Sequence, residues 1–169
     1  MRPVSFDVYA SQRDYERALE YLSRSLAICE KIGDQAGIAL ASTDLAETTI
    51  RKGDLFNAEI RCGQALRVAA QIGNKGATSF ARRVRGMLHG KQGRWDESAA
   101  DFEESLRILA HLGFPFDEGR TRYEFGLMWK NKGEGERAKE HLSRAVQIFE
   151  RIGAAKELEK AQVVLRDLP

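Results

Sequence analysis

Between residues 55 and 72 the apolar side chains fall at Leu55, Ala58, Cys62, Ala65, Leu66, Ala69 and Ile72. Steps of three and four keep one face of a 3.6-period helix apolar and leave the rest to water. The same column of positions recurs 40 residues on, as Trp95, Ser98, Phe102, Ser105, Leu106, Leu109 and Leu112. A further shift gives Gly135, Ala138, Leu142, Ala145, Val146, Phe149 and Ile152, and a backward shift gives Tyr15, Ala18, Leu22, Ser25, Leu26, Cys29 and Ile32. Large and small residues keep their places. The pattern therefore predicts one set of helices that present nearly the same packing surface.

A second set lies between them. Ala41, Ala81, Thr121 and Ala161 share one column, and Ala46, Gly86 and Gly126 share another, so two helices can approach closely there. Leu45, Phe125 and Leu165 form an apolar column in which Arg85 is the exception. Either the helix at 75–92 is rotated, with Val84 and Leu88 carrying the core, or Arg85 is partly buried beside a carboxylate. A buried, unpaired guanidinium is too unfavourable to stand.

Glycines punctuate both sets. Gly33, Gly73, Gly113 and Gly153 are 40 residues apart, and Gly53, Gly93 and Gly133 fall halfway between them. A glycine closes a helix in the left-handed conformation and lets the chain reverse. Two closures per 40 residues predict helices of roughly 18 residues, each about 27 Å long, with antiparallel neighbours. Pro115 suits the first turn of the helix after Gly113. The expected fold is an all-α solenoid of helical hairpins, with about seven helices and a last one near 155–167.

The quoted units "LAETTIRKGDLFNAEIRCGQAL" and "FGLMWKNKGEGERAKEHLSRAV" carry a small residue, then Gly-Asp or its equivalent, then Ala or Ser, then a large apolar residue at fixed spacings. This combination resembles the tetratricopeptide repeat. The period of 40 exceeds the usual 34, as in the long variety found in Leu-Gly-Asn repeat scaffolds and in C-terminal regions of bacterial regulators. The resemblance covers about residues 12–168 and implies a right-handed superhelix forming one domain. Its units would be an incomplete N-terminal one at 1–33, full ones at 34–73, 74–113 and 114–153, and a capping helix at 154–169. The first unit departs from the pattern: "RPVSFDVYAS" is short and contains Pro3, so a full first helix is not expected there, and Arg13 stands where glycine is expected.

The resemblance also implies a concave groove lined by the first helix of each pair. Column by column it contains Leu40, Thr43, Glu47 and Ile50, then Phe80, Arg83, Met87 and Lys91, then Arg120, Tyr123, Leu127, Lys130 and Asn131. In the implied binding role, Arg83, Lys91, Arg120, Lys130 and Asn131 engage carboxylates or backbone, and Phe80, Met87, Tyr123 and Leu127 supply apolar contacts. Such a mixture suits an extended or helical peptide of acidic character. For Tyr123 a packing role stands equally open.

Charge adds one feature. The chain of 169 residues has a formal net charge of +2, yet Ile60–Trp95 contains no Asp or Glu and eight basic residues, Arg61, Arg67, Lys75, Arg82, Arg83, Arg85, Lys91 and Arg94. This window is either an electropositive site or is neutralised internally against "WDESAADFEES" and "TDLAE". Nucleic acid is disfavoured, because the window lacks interleaved aromatics and any recognised binding signature.

Catalytic patterns are not evident. His89, His111 and His141 are isolated, "GKQGR" lacks the full phosphate-loop pattern, and "DESAADFEES" lacks the geometry of a calcium loop. The chain reads as a non-enzyme without metal or cofactor. With 43% hydrophobic and 31% charged residues, it has the composition of a folded soluble protein. The first residues lack the apolar stretch of about 7–15 that a signal peptide needs. Cys29 and Cys62 sit in helical apolar columns, which suits a reduced, cytoplasmic protein. A protein partner held in the groove is the leading expectation. The rivals are an oligomerisation module, self-associating through an uncovered N-terminal end, or a sensor piece of a larger bacterial regulator.

Overall fold

The computed structural model describes residues 14–168, and within them the chain forms eight α-helices. They are α1 (Tyr15–Ile32), α2 (Gln35–Lys52), α3 (Leu55–Gln71), α4 (Lys75–Lys91), α5 (Trp95–Leu112), α6 (Pro115–Lys132), α7 (Gly135–Ile152) and α8 (Ala155–Arg166). The sequence pattern predicted about seven. Seven glycine closures separate eight segments, so counting the closures undercounts the helices by one. The expectation concerning Pro3 and Arg13 lies outside the described residues.

Each turn is built the same way. All seven spaced glycines have positive φ, between 64° and 93°. At Gly133, φ is 88° and no atom lies within 4 Å of an added Cβ. Conformation rather than space therefore demands glycine there. Helix starts divide along the chain. Asp14, Asp34, Asp54 and Asn74 each accept a hydrogen bond from the backbone N–H three residues on, satisfying donors that a helix start leaves unpaired. Arg94, Phe114, Glu134 and Ala154 provide no such bond. In α6, Pro115 at the first position removes one of the donors that would need it.

Consecutive helices pack on one another, most extensively within the hairpins α2–α3, α4–α5 and α6–α7. First helices also touch, α2 with α4 and α4 with α6, so α2, α4 and α6 form one inner layer. Serines stitch the hairpins: Ser98 Oγ donates to the Gly86 carbonyl at 2.7 Å and Ser105 Oγ to the Ser79 carbonyl at 2.8 Å. The α2 helix is the most enclosed, buried at every residue from Ala41 to Ile50. Its Thr43, Thr48 and Thr49 hydroxyls are satisfied by carbonyls four residues back, as burial requires.

The small-residue columns are the contact seams. A Cβ on Gly126 would sit 2.7 Å from Leu142 Cγ and 3.3 Å from the Ala138 carbonyl oxygen. Gly126→Ala should therefore destabilise the protein despite alanine's higher helix propensity. Overpacking of about 1–3 kcal/mol outweighs a propensity gain of about 1 kcal/mol. Thermal unfolding followed by circular dichroism should show a lower midpoint; an unchanged or higher one would mean the seam opens freely.

Both readings of Arg85 hold together. Val84 and Leu88 are fully buried, while half-buried Arg85 donates from Nε and Nη2 to Asp101 at 2.8 and 2.7 Å. Arg82 adds a third hydrogen bond to the same carboxylate at 2.8 Å. Burial would raise the Asp101 pKa, but the hydrogen bonds from Arg85 and Arg82 outweigh it, and the pKa falls.

Candidate functional site

The inner layer is filled over much of its length by an ionic hub. Glu47 of α2 is 1% exposed and Arg83 of α4 is 0% exposed, and Arg83 Nη2 donates to Glu47 Oε2 at 3.0 Å. Arg120 of α6 reaches both carboxylate oxygens at 3.1 and 3.3 Å. Arg51, one turn along α2, donates to Glu47 Oε1 at 2.9 Å and to Glu124 Oε1 of α6 at 2.9 Å. One carboxylate thus collects three arginines from three inner helices. Burial opposes charge on Arg51, yet the attraction of Glu124 and Glu47 overcomes it and raises its pKa.

Arg83 and Arg120 were expected to reach a partner's carboxylates. The structure corrects the placement: Arg83 has no exposed surface, and both donate to the chain's own Glu47. Thr43, Glu47 and Ile50 are likewise buried, and Leu40 packs on the cluster of Ala39, Ala69 and Ala77. Phe80 stacks on Phe114 with ring centroids 6.5 Å apart. Tyr123 packs on Ala145, Phe149 and Ala161, and burial raises its phenol pKa. The residue is half-buried, so packing takes up part of its surface.

The inner face opens near the C-terminal ends of α2, α4 and α6. A pocket of about 240 Å³ lies there, with Met87, Leu127, Met128 and Ile50 as its apolar wall. Arg51, Glu124, Lys91, Asn131, Gly90 and Tyr15 complete it. Five residues predicted for the groove, Ile50, Met87, Lys91, Leu127 and Asn131, therefore meet in one place. Lys130 lies next to Asn131 outside this lining, half-buried. Sequence reasoning missed Tyr15, Arg51, Gly90, Glu124 and Met128, although Arg51 shares a column with Lys91 and Asn131.

The basic window is neutralised at four of its residues. Arg82 and Arg85 pair with Asp101, Arg83 with Glu47, and Arg94 with Glu59 and Glu97. The histidines offer no chemistry in common. His89 Nδ1 lies 3.2 Å from Asp101 Oδ2 without the alignment of a hydrogen bond, and burial followed by Arg94 lowers its pKa. His111 is exposed with Nδ1 against the Arg107 carbonyl, and His141 packs on Phe125 at 4.1 Å. Burial pushes the Cys62 thiol up to about 12, so it is not a thiolate at neutral pH. Among the described residues no group of three or more His, Cys, Asp or Glu could hold a metal ion. Among them, too, no helix is long and apolar enough to cross a membrane.

Comparison with known proteins agrees with this architecture. Two sequence models, each described as tetratricopeptide repeat, match residues 37–110 and 7–32, together more than half of the chain. No curated protein matches significantly. Among solved structures, the crystal structure of BtubC (BKLC) from P. vanneervenii is similar, with a TM-score of 0.67 at 20% sequence identity. The likeness covers 87% of this chain and 62% of that one, and at this identity it concerns the fold alone. The glycine-punctuated hairpins, the small-residue seams and the two matching models agree: the chain belongs to the tetratricopeptide repeat family.

Proposed function

We propose that this chain is a non-catalytic interaction module that holds a segment of a partner protein by seating an apolar side chain in the pocket at the C-terminal ends of α2, α4 and α6. Tetratricopeptide repeats generally mediate protein–protein interaction. The observation that carries the finer reading is the pocket itself, about 240 Å³ and walled by Ile50, Met87, Leu127 and Met128. That is room for a single large side chain, and two methionines let the wall adapt to its shape. Lys91 and Asn131 are exposed at the pocket, where an ammonium and an amide can take up a carboxylate and a backbone group. Lys130 next to them extends the preference for an acidic segment. Arg83 and Arg120 serve indirectly, by holding the three inner helices at fixed spacing through Glu47.

A displayed peptide library, panned against the wild-type protein, tests this reading. Selected peptides should carry a large apolar residue close to an acidic one. Leu127→Arg, which fills the pocket, and Lys91→Glu/Lys130→Glu, which reverses its charge, should each weaken them by about tenfold or more, the scale of one lost anchor or charge pair. Equal affinity for all three folded proteins would place binding elsewhere.

A further inference from the structure

The second helices α1, α3, α5 and α7 share one packing pattern, and comparison along their columns isolates a face of α1. In α5 and α7 this face is covered by the preceding first helix. Ser105 bonds to Ser79 and Asp101 to Arg85 on α4, while His141 packs on Phe125 of α6. The equivalent positions on α1 are Ser25 and Tyr21, and Tyr21 is 41% exposed. The contrast is sharpest at Ile28. Its column partners Ile108 and Ile148 are 7% and 8% exposed, whereas Ile28 is 59% exposed and Ile32, one turn on, is 69% exposed. Tyr21, Ile28 and Ile32 make an apolar stripe at helical spacing that nothing among the described residues covers.

The stripe has a charged border. Arg17, Arg24 and Lys31 recur every seven residues and so form a row along one side of it. The ion pairs Arg17–Asp14 and Arg24–Glu20 are solvent-exposed, with both arginines more than 70% accessible. Such pairs yield readily to a competing carboxylate. The opposite flank, with Ala18 and Leu22, is buried.

The far end of the same molecule does not complement this face. First helices are small where a second helix seats: Cβ atoms on Gly86, Gly119 and Gly126 would meet Phe102, Phe149 and Leu142 at 3.1, 2.6 and 2.7 Å. In α8 the columns of Gly119 and Gly126 hold exposed Glu159 and Arg166. Long charged side chains at those two points make α8 of a second copy a poorer match to α1 than a helix with small residues there.

We propose that the exposed face of α1 docks an amphipathic helix of a partner protein, antiparallel to α1, carrying small residues seven apart and an acidic edge that meets Arg17, Arg24 and Lys31. This surface is separate from the inner pocket and does not depend on the function proposed for it. Two synthetic helical peptides of about 20 residues, sharing one apolar pattern and differing in glutamate or lysine along that edge, test it on the full chain by fluorescence anisotropy. The glutamate peptide should bind about tenfold tighter than the lysine peptide, and Arg24→Glu/Lys31→Glu should reverse that order. Ile28→Asp/Ile32→Asp alters exposed positions only; it should leave the helical circular dichroism intact and weaken the glutamate peptide at least about tenfold. Equal binding of the two peptides, binding that survives the isoleucine substitutions, or no binding would overturn the proposal. So would a dimer in sedimentation that those substitutions dissociate, since the occupant would then be a second copy.

Discussion

Glu47→Gln should lower the stability of the protein by about 3–5 kcal/mol, the usual consequence of removing one member of a buried ion pair. Glu47 is 1% exposed and receives Arg51, Arg83 and Arg120 from three helices. A neutral amide offers one acceptor oxygen in place of two, and Arg83, with no exposed surface, cannot turn to water. The loss is therefore an uncompensated buried charge rather than a missing contact. Urea unfolding should show a large drop in midpoint. The double variant Glu47→Gln/Arg83→Met should recover part of it, because both buried charges then disappear together. No recovery in the double variant would show that the stranded Arg83 charge is not the source of the loss. A drop below about 1 kcal/mol would mean that Glu47 is solvated in solution.

The hub also marks the boundary of what was legible in the sequence. Hairpins, turn positions and seam residues follow from contacts made between adjacent segments, and those repeat every 40 residues. Helix ends accordingly fell within about one residue of the expected places. Arg85 was flagged because it broke a column. Arg120 also stood among apolar column partners, Leu40 and Phe80, and Arg83 in a mixed column with Thr43 and Tyr123; in columns assigned to a groove, a long cation facing outward looks the same as one turned inward to a carboxylate. Their partner is 36 and 73 residues away, and whether they meet it depends on how tightly the inner helices wind, which no single unit encodes. Met87, Lys91, Leu127 and Asn131 came together because they lie beyond the hub, where the inner layer opens. Arg51 was passed over although its column held two of them.

Phe125→Ala should have the other large effect, and it should change the pH dependence as well as the stability. The ring is 2% exposed and stacks on Phe102 at 5.0 Å and Trp129 at 5.6 Å, with His141 tilted against it at 4.1 Å. Truncating such a side chain costs about 3–5 kcal/mol. The same packing buries His141, and burial, then Arg122, lowers its pKa to about 4 against the opposing pull of Glu140. The unfolded chain, with histidine near its ordinary value of about 6.5, therefore binds a proton over a range in which the folded one does not. Stability is complete above about pH 6.5 and is lost as pH falls from there toward 4, by about 1–2 kcal/mol after allowance for partial solvent access. The cavity left by Phe125→Ala admits water to the imidazole, so that slope should flatten while the baseline stability drops. His141→Gln should reduce the slope and keep the baseline, leaving the part that His89, whose pKa burial also lowers, contributes in the same direction. Asp101 does not mimic the effect, because its lowered pKa places its own loss of stability at more acid pH. Unfolding midpoints from pH 4 to 7 for the three proteins separate these terms: a wild-type slope retained in both variants would assign the acid sensitivity to other groups, and one retained only in Phe125→Ala would show that the remaining wall keeps His141 dry.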